Sequence, residues 1–175
     1  MRITIFFLCF SATALGQTSE QLMQYAEHYD GDIQSFQKFI ILQPSVDEVN
    51  FGVRQMVYEL DNHRIGIQEH PTGNGKIGEI YVFQTSENFT KASYLWKSHF
   101  DSMKADRSLI FVKAVFDDGV TKENELMLEE FSILMNTRNI NSKTSYGVRF
   151  QKNSAYYSLF IIKGKLVFTV DDKNF

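Results

Sequence analysis

The chain has 175 residues, with 18 lysines and arginines against 21 aspartates and glutamates and a net charge of −3. It has no basic run of the kind that neutralises phosphates, which argues against nucleic acid and anionic membrane surfaces as partners. Its one cysteine, Cys9, lies near the amino terminus, so the rest of the chain has no thiol for catalysis, disulfides or metal binding.

Residues Met1–Gly16 (MRITIFFLCFSATALG) read as a signal peptide. Arg2 is followed by an apolar run from Ile3 to Phe10 and by small residues ending Ala14-Leu15-Gly16, with a cut expected before Gln17. The run is far short of the roughly 20 apolar residues needed to span a bilayer, and no later segment reaches that length. Phe6-Phe7-Leu8 precede Cys9 where a lipoprotein would have small residues, which speaks against lipidation. Cleavage leaves 159 residues, and losing Arg2 leaves 17 basic against 21 acidic residues, a charge of −4. The expected location is secreted or periplasmic, and a cysteine-free domain of this size favours the bacterial setting. Residues 17–175 are long enough to bury a core of their own and read as a single α+β domain.

Thr18 or Ser19 caps a short helix carrying Leu22, Tyr25, Ala26 and Tyr29 at helical spacing, with Gly31 as a stop. Ile33 to Gln43 is ambiguous: Phe36, Phe39 and Ile40 fit a helix, whereas FIIL fits a buried strand. Helix is preferred, ended by Pro44. Ser45 and Glu48 have capping-box spacing, and Val49, Val53, Met56, Val57 and Leu60 form a stripe, predicting a helix across 45–60 in spite of Gly52. From Arg64 the period drops to two, with Ile65 and Ile67, then PTGNG as a turn, then KIGEIYVFQT as a strand apolar on both faces and therefore interior to a sheet.

Ser86 is the expected cap of a helix reaching about Lys104, with Phe89, Ala92, Trp96, Phe100 and Met103 on its apolar face. DRSLIFVKAVFDDG follows as a strand. If the two flanking strands are neighbours they form a parallel pair with a right-handed crossover. The segment Thr121–Met135 is predicted as a helix with only a narrow polar window around Glu125, Glu129 and Ser132. So apolar a helix is covered on more than one side, by the amino-terminal helices or by another molecule. After a polar loop, YGVRFQ, AYYSLFII and KLVFTV form a three-stranded antiparallel meander. The expected fold is a mixed, mostly antiparallel sheet of five or six strands with helices mainly on one face.

Among residues with chemical potential, GNGK at 73–76 lacks the spacing and the following hydroxyl of a phosphate loop, and joins strand to strand, so it reads as a turn. His63, Glu69 and His70 are candidate metal ligands, although seven residues of strand put the two histidines on opposite faces and about 23 Å apart. His28 sits with Glu27, Asp30 and Asp32 at a helix end and lacks the calcium-loop pattern. His99 flanks an apolar helix face. Asp117 and Asp118 precede Gly119 as in an ordinary turn. No G-x-S-x-G serine-hydrolase elbow occurs. Asn88-Phe89-Thr90 matches a glycosylation acceptor, and Tyr156-Tyr157 could turn one ring outward. No cofactor is implied. The expectation is an exported non-enzymatic binding or interaction protein for an unknown protein or small ligand, with Thr121–Met135 as an interaction element or with a pocket for a small apolar ligand in the sheet. The alternative is a small exported hydrolase, metal-assisted through His63, Glu69 and His70.

Overall fold

The computed structural model describes residues 18–84 and 88–173, so the Met1–Gly16 leader and the Ser86 cap lie outside the described residues. Thr18 caps α1 (Ser19–Ala26) in a reciprocal box, its hydroxyl accepting from the Gln21 amide while its own amide donates to Gln21 Oε1. Asp32 caps α2 (Ile33–Ile40), which ends on Ile41 in the left-handed region, short of Pro44. The helical spacing of Phe36, Phe39 and Ile40 therefore prevails over the strand-like FIIL.

The 45–60 segment is not a helix. It is a hairpin of β1 (Val46–Asn50) and β2 (Val53–Glu59), joined by Phe51 and Gly52 with φ of 51° and 80°. Two central residues with positive φ make the turn whose twist suits a two-residue hairpin. The valines that imitated a helical stripe are β-branched and suit a pleated surface. Met56 and Tyr58 alternate inward from β2.

β3 (His63–Glu69) and β4 (Ile77–Gln84) follow as a hairpin closed by the glycine-rich turn. Gly73 and Gly75 take the positive φ there, at 63° and 74°. Ile77 pairs with Glu69 in the sheet, as a turn requires and a phosphate loop forbids. Asn88 then caps α3 (Phe89–Ala105). β5 (Ile110–Asp117) and β6 (Lys122–Leu126) form a second hairpin, α4 (Leu128–Thr137) follows, and β7 (Ser145–Lys152), β8 (Ala155–Ile162) and β9 (Lys165–Asp171) make the predicted meander.

The sheet has nine described strands, in the order β1-β2-β3-β4-β9-β8-β7-β5-β6, and every pairing is antiparallel. Five or six strands and a mixed sheet are thus corrected to nine antiparallel ones. The extra strands are the two edges, β1–β2 and β6, which the sequence presented as helix. The strands that flank α3 are not neighbours, so the condition for an adjacent parallel pair is not met: β4 pairs with β9 and β5 with β7, and the whole meander lies between them. β4 is interior, as its two apolar faces require. The amino-terminal part of the 121–135 segment is strand β6, and helix begins only at Leu128, where the Met127 amide donates to Glu130. Charged side chains on β1 (Asp47, Glu48) and β6 (Lys122, Glu123, Glu125) blunt the two sheet edges.

One face of the sheet presents Tyr58, Ile67, Ile80, Phe168, Leu159 and Val148 to a single core that contains residues of all four helices. Trp96 ties α3 to this face by donating its indole N–H to the Leu159 carbonyl at 3.1 Å. The opposite face carries Tyr81, Phe83, Val167, Thr169, Phe160, Arg149 and Lys113. Two cross-strand pairs there set an aromatic ring over a glycine, Tyr81 over Gly66 and Phe160 over Gly147. A Cβ on Gly147 would sit 2.0 Å from the Phe160 ring and 2.7 Å from the Leu159 carbonyl oxygen.

Candidate functional site

The candidate metal ligands are not drawn together. His63 is buried on the core face, 5 % exposed, with Nε2 3.3 Å from the Tyr25 hydroxyl and Nδ1 against the Asn62 side chain. Burial lowers its pKa. Glu69 and His70 lie at the other end of β3, beside the turn. There Glu69 accepts from the Gly75 amide at 2.7 Å, and His70 bonds the Thr72 hydroxyl through Nδ1 and stands 3.8 Å from the Asp172 carboxylate through Nε2. Among the described residues no group of three or more histidines, cysteines or carboxylates is placed to hold a metal ion.

The other singled-out residues have local duties. The His28 ring packs on Phe39 and Phe36, at 4.5 and 5.3 Å between centroids, and burial lowers its pKa. Asp30 pairs with Lys76, and Asp32 caps α2. Asp117 and Asp118 accept from the amides of Gly119, Val120 and Thr121, which is turn chemistry. Tyr157 is buried, and the Tyr156 ring lies 5.3 Å from the Arg149 guanidinium carbon.

His99 is 1 % exposed. Its Nδ1 is 2.8 Å from the Ser19 hydroxyl, its Nε2 has no hydrogen-bond partner among the described residues, and it lines a cavity of about 30 Å3 with Ser102, Asp106 and Leu109. That volume suits one water molecule. Burial lowers its pKa from 6.5 to about 4, which makes it a poor base near neutrality and a packing element between α1 and α3. Because the folded pKa lies below the unfolded one, the contribution of neutral His99 is complete above pH 6.5 and is lost as pH falls toward the folded value near 4. We expect about 3 kcal/mol of stability to disappear across that window. A His99→Gln variant should show a correspondingly flatter acid limb in urea titrations at pH 7, 5.5 and 4; parallel limbs would contradict this.

The structure assembles a site that the sequence showed only in pieces. In the sheet β7 lies between β8 and β5. α3 packs on β8 and β9 while α4 packs on β5 and β6, so a groove of about 550 Å3 opens between the helices above β7. Its floor is Trp96 and Phe100 of α3, Phe131 of α4 and Tyr146 of β7. Trp96 and Phe100 stack at 16° and 5.1 Å, and Tyr146 meets Trp96 edge-on at 4.9 Å. The Tyr146 hydroxyl is held by Ser93 at 3.0 Å. Met135 and Ile140 continue the apolar lining, whereas Ser132, Asn136 and the Lys97–Asp101 ion pair (3.1 Å) form a polar rim. A largely apolar concavity of this size with a few fixed polar groups is the usual form of a small-ligand pocket. The apolar excess of the 121–135 segment was the available signal for it; the facing positions of Trp96 and Phe131 were not legible.

Comparison with protein-family models, with curated proteins and with solved structures finds no match for this chain. Its function is therefore argued from these residues. Among the described residues no helix is long and apolar enough to cross a membrane.

Proposed function

We propose that this chain is an exported, non-enzymatic binding protein that takes a small, flat, apolar ligand in the groove between α3 and α4. Export is supported by the charged, apolar and small-residue zones of Met1–Gly16. Binding is supported chiefly by the stacked Trp96–Phe100 pair at the bottom of an open groove. Stacked and edge-on rings already define a slot, and a planar ligand extends the stack without ordering further side chains. The hydrolytic alternative draws no support from His63, Glu69 and His70, because His63 is held on the core face away from the other two.

Trp96 is the only tryptophan of the chain, so its emission reports on the groove directly. Titration with the planar apolar probe N-phenylnaphthylamine is expected to quench Trp96 saturably. Ser132→Phe, which fills the groove from the α4 side, should weaken the probe by about tenfold or more while circular dichroism stays unchanged. Quenching that does not saturate, or equal affinity in the variant, would overturn the reading.

A further inference from the structure

The lining of the α3–α4 groove changes character along its length. Tyr146 meets Trp96 and Phe150 meets Phe100, at 4.9 and 6.4 Å between ring centroids, so β7 runs beneath α3 in the same direction. From the amino terminus of α3 onward, the groove has first the hydroxyls of Thr90 and Ser93, then the Trp96–Phe100 stack with the Lys97–Asp101 pair beside it, and last Lys104. Phe131 of α4 faces both rings of the stack, at 5.9 and 6.5 Å. From Thr90 to Lys104 the helix wall is about 21 Å long, enough for a ring system and a polar group beyond it. The groove is therefore hydroxylated at one end, aromatic in the middle and charged at the other end.

The ionic side chains of the lining are Lys97, Asp101 and Lys104. Lys97 and Asp101 neutralise each other at 3.1 Å, at the i, i+4 spacing of neighbours on a helix face. The Lys104 ammonium has no hydrogen bond or ion pair among the described residues. Nor is it spent on the end of its own helix, where the Ser102 and Met103 carbonyls accept from the Asp106 amide. This end of the groove thus carries one positive charge that the lining does not balance. Helical side chains lean toward the amino terminus of their helix. Lys104, about 6 Å along the axis from Phe100, therefore leans back over the turn that carries the ring. A carboxylate on the rim of a fused-ring ligand laid against the half-buried Phe100 comes within its reach.

We propose that the ligand of this groove is a planar aromatic carboxylate, its ring continuing the Trp96–Phe100 stack and its acid group on the Lys104 ammonium. The proposal rests on the reading of the groove as the ligand site and adds the charge of the ligand to it. Isothermal titration with naphthoate tests it, with naphthylmethanol and naphthylmethylammonium as the neutral and cationic counterparts. Naphthoate is expected to bind at one site, to change Trp96 emission, and to bind about three- to fivefold more tightly than the alcohol, the advantage that a solvent-exposed ion pair supplies. High salt should shrink that advantage. Lys104→Met should remove it and leave the alcohol and N-phenylnaphthylamine unaffected, whereas Lys104→Arg should retain it. Ser132→Phe should weaken naphthoate as it weakens the neutral probe. The proposal is overturned if naphthoate binds no better than the alcohol, if Lys104→Met weakens both equally or neither, if the ammonium analogue binds best, or if naphthoate ignores Ser132→Phe. Saturable binding of N-phenylnaphthylamine without any preference for naphthoate overturns the carboxylate alone and leaves a groove for neutral rings. Failure of both compounds to bind overturns the groove reading as well.

Discussion

Replacing Arg149 by leucine is expected to destabilise the protein by about 3–5 kcal/mol, the loss found when one partner of a buried ion pair is removed. Arg149 is 6 % exposed and Asp171 3 %, on a sheet face where none of the described helices accounts for the burial. The leucine variant strands the Asp171 carboxylate, leaves the Ser158 hydroxyl without the Arg149 donor and releases the Lys173 carbonyl. Burial already raises the pKa of Asp171 even with Arg149 beside it, so the pair at 4.0 Å does not fully repay desolvation. For an acid whose folded pKa is raised, the stabilising contribution is complete below the unfolded value and is lost as pH rises through the folded one. Arg149→Leu should therefore be most damaging at neutral pH and milder in acid. Combining it with Asp171→Leu should recover most of the loss, because an apolar pair of similar volume carries no desolvation cost. Urea midpoints of the two single variants and the double variant close the cycle. A single-variant loss below about 1 kcal/mol, the range of exposed pairs, would show that the Arg149–Asp171 pair is solvated.

Trp96→Ala is expected to cost about 3–5 kcal/mol, as large-to-small changes of buried aromatic residues do. The indole is 4 % exposed, lies against Phe100, Phe131 and Tyr146, and donates to the Leu159 carbonyl in the middle of the sheet. At roughly 2–4 °C per kcal/mol for a chain of this size, the loss is readily seen by thermal melts. Trp96→Phe keeps a ring on Phe100 and loses the N–H donor, so a smaller cost of about 1–2 kcal/mol is expected. The two variants separate the contributions of stacking and of the hydrogen bond. Equal melting temperatures for both would mean that the ring does not anchor α3 to the sheet.

Much of the local structure was legible because its determinants are adjacent in sequence. The capping box at Thr18, the glycines of the 73–76 turn, the apolar face of α3 and the alternation of the last three strands each rest on neighbours a few residues apart. The main failure, at 45–60, is equally local in origin. Val49, Val53, Met56, Val57 and Leu60 satisfy a helical period, but the Phe51-Gly52 pair satisfies a hairpin turn, and a helix cannot contain two successive residues of positive φ. In the 121–135 segment, Lys122 to Leu126 became strand because β5 offers an open edge at that point, a partner that no window of the segment itself contains.

By itself, the sequence determined which short stretches bend, coil or extend, and which faces of them seek burial, because those preferences arise from each residue's own backbone and immediate neighbours. Only the tertiary structure decided that β9 lies against β4 and β7 against β5, since strands with similar alternation are interchangeable until the whole sheet is paired. That choice sets α3 and α4 on either side of β7, so Trp96 and Phe131 meet above Tyr146. It also draws Arg149, which an alternating strand would otherwise offer to water, under the Lys173 carbonyl and beside Asp171. The α3–α4 groove and the Arg149–Asp171 pair both depend on residues far apart in the chain, and side chains that meet only through the sheet leave no periodic trace in the sequence.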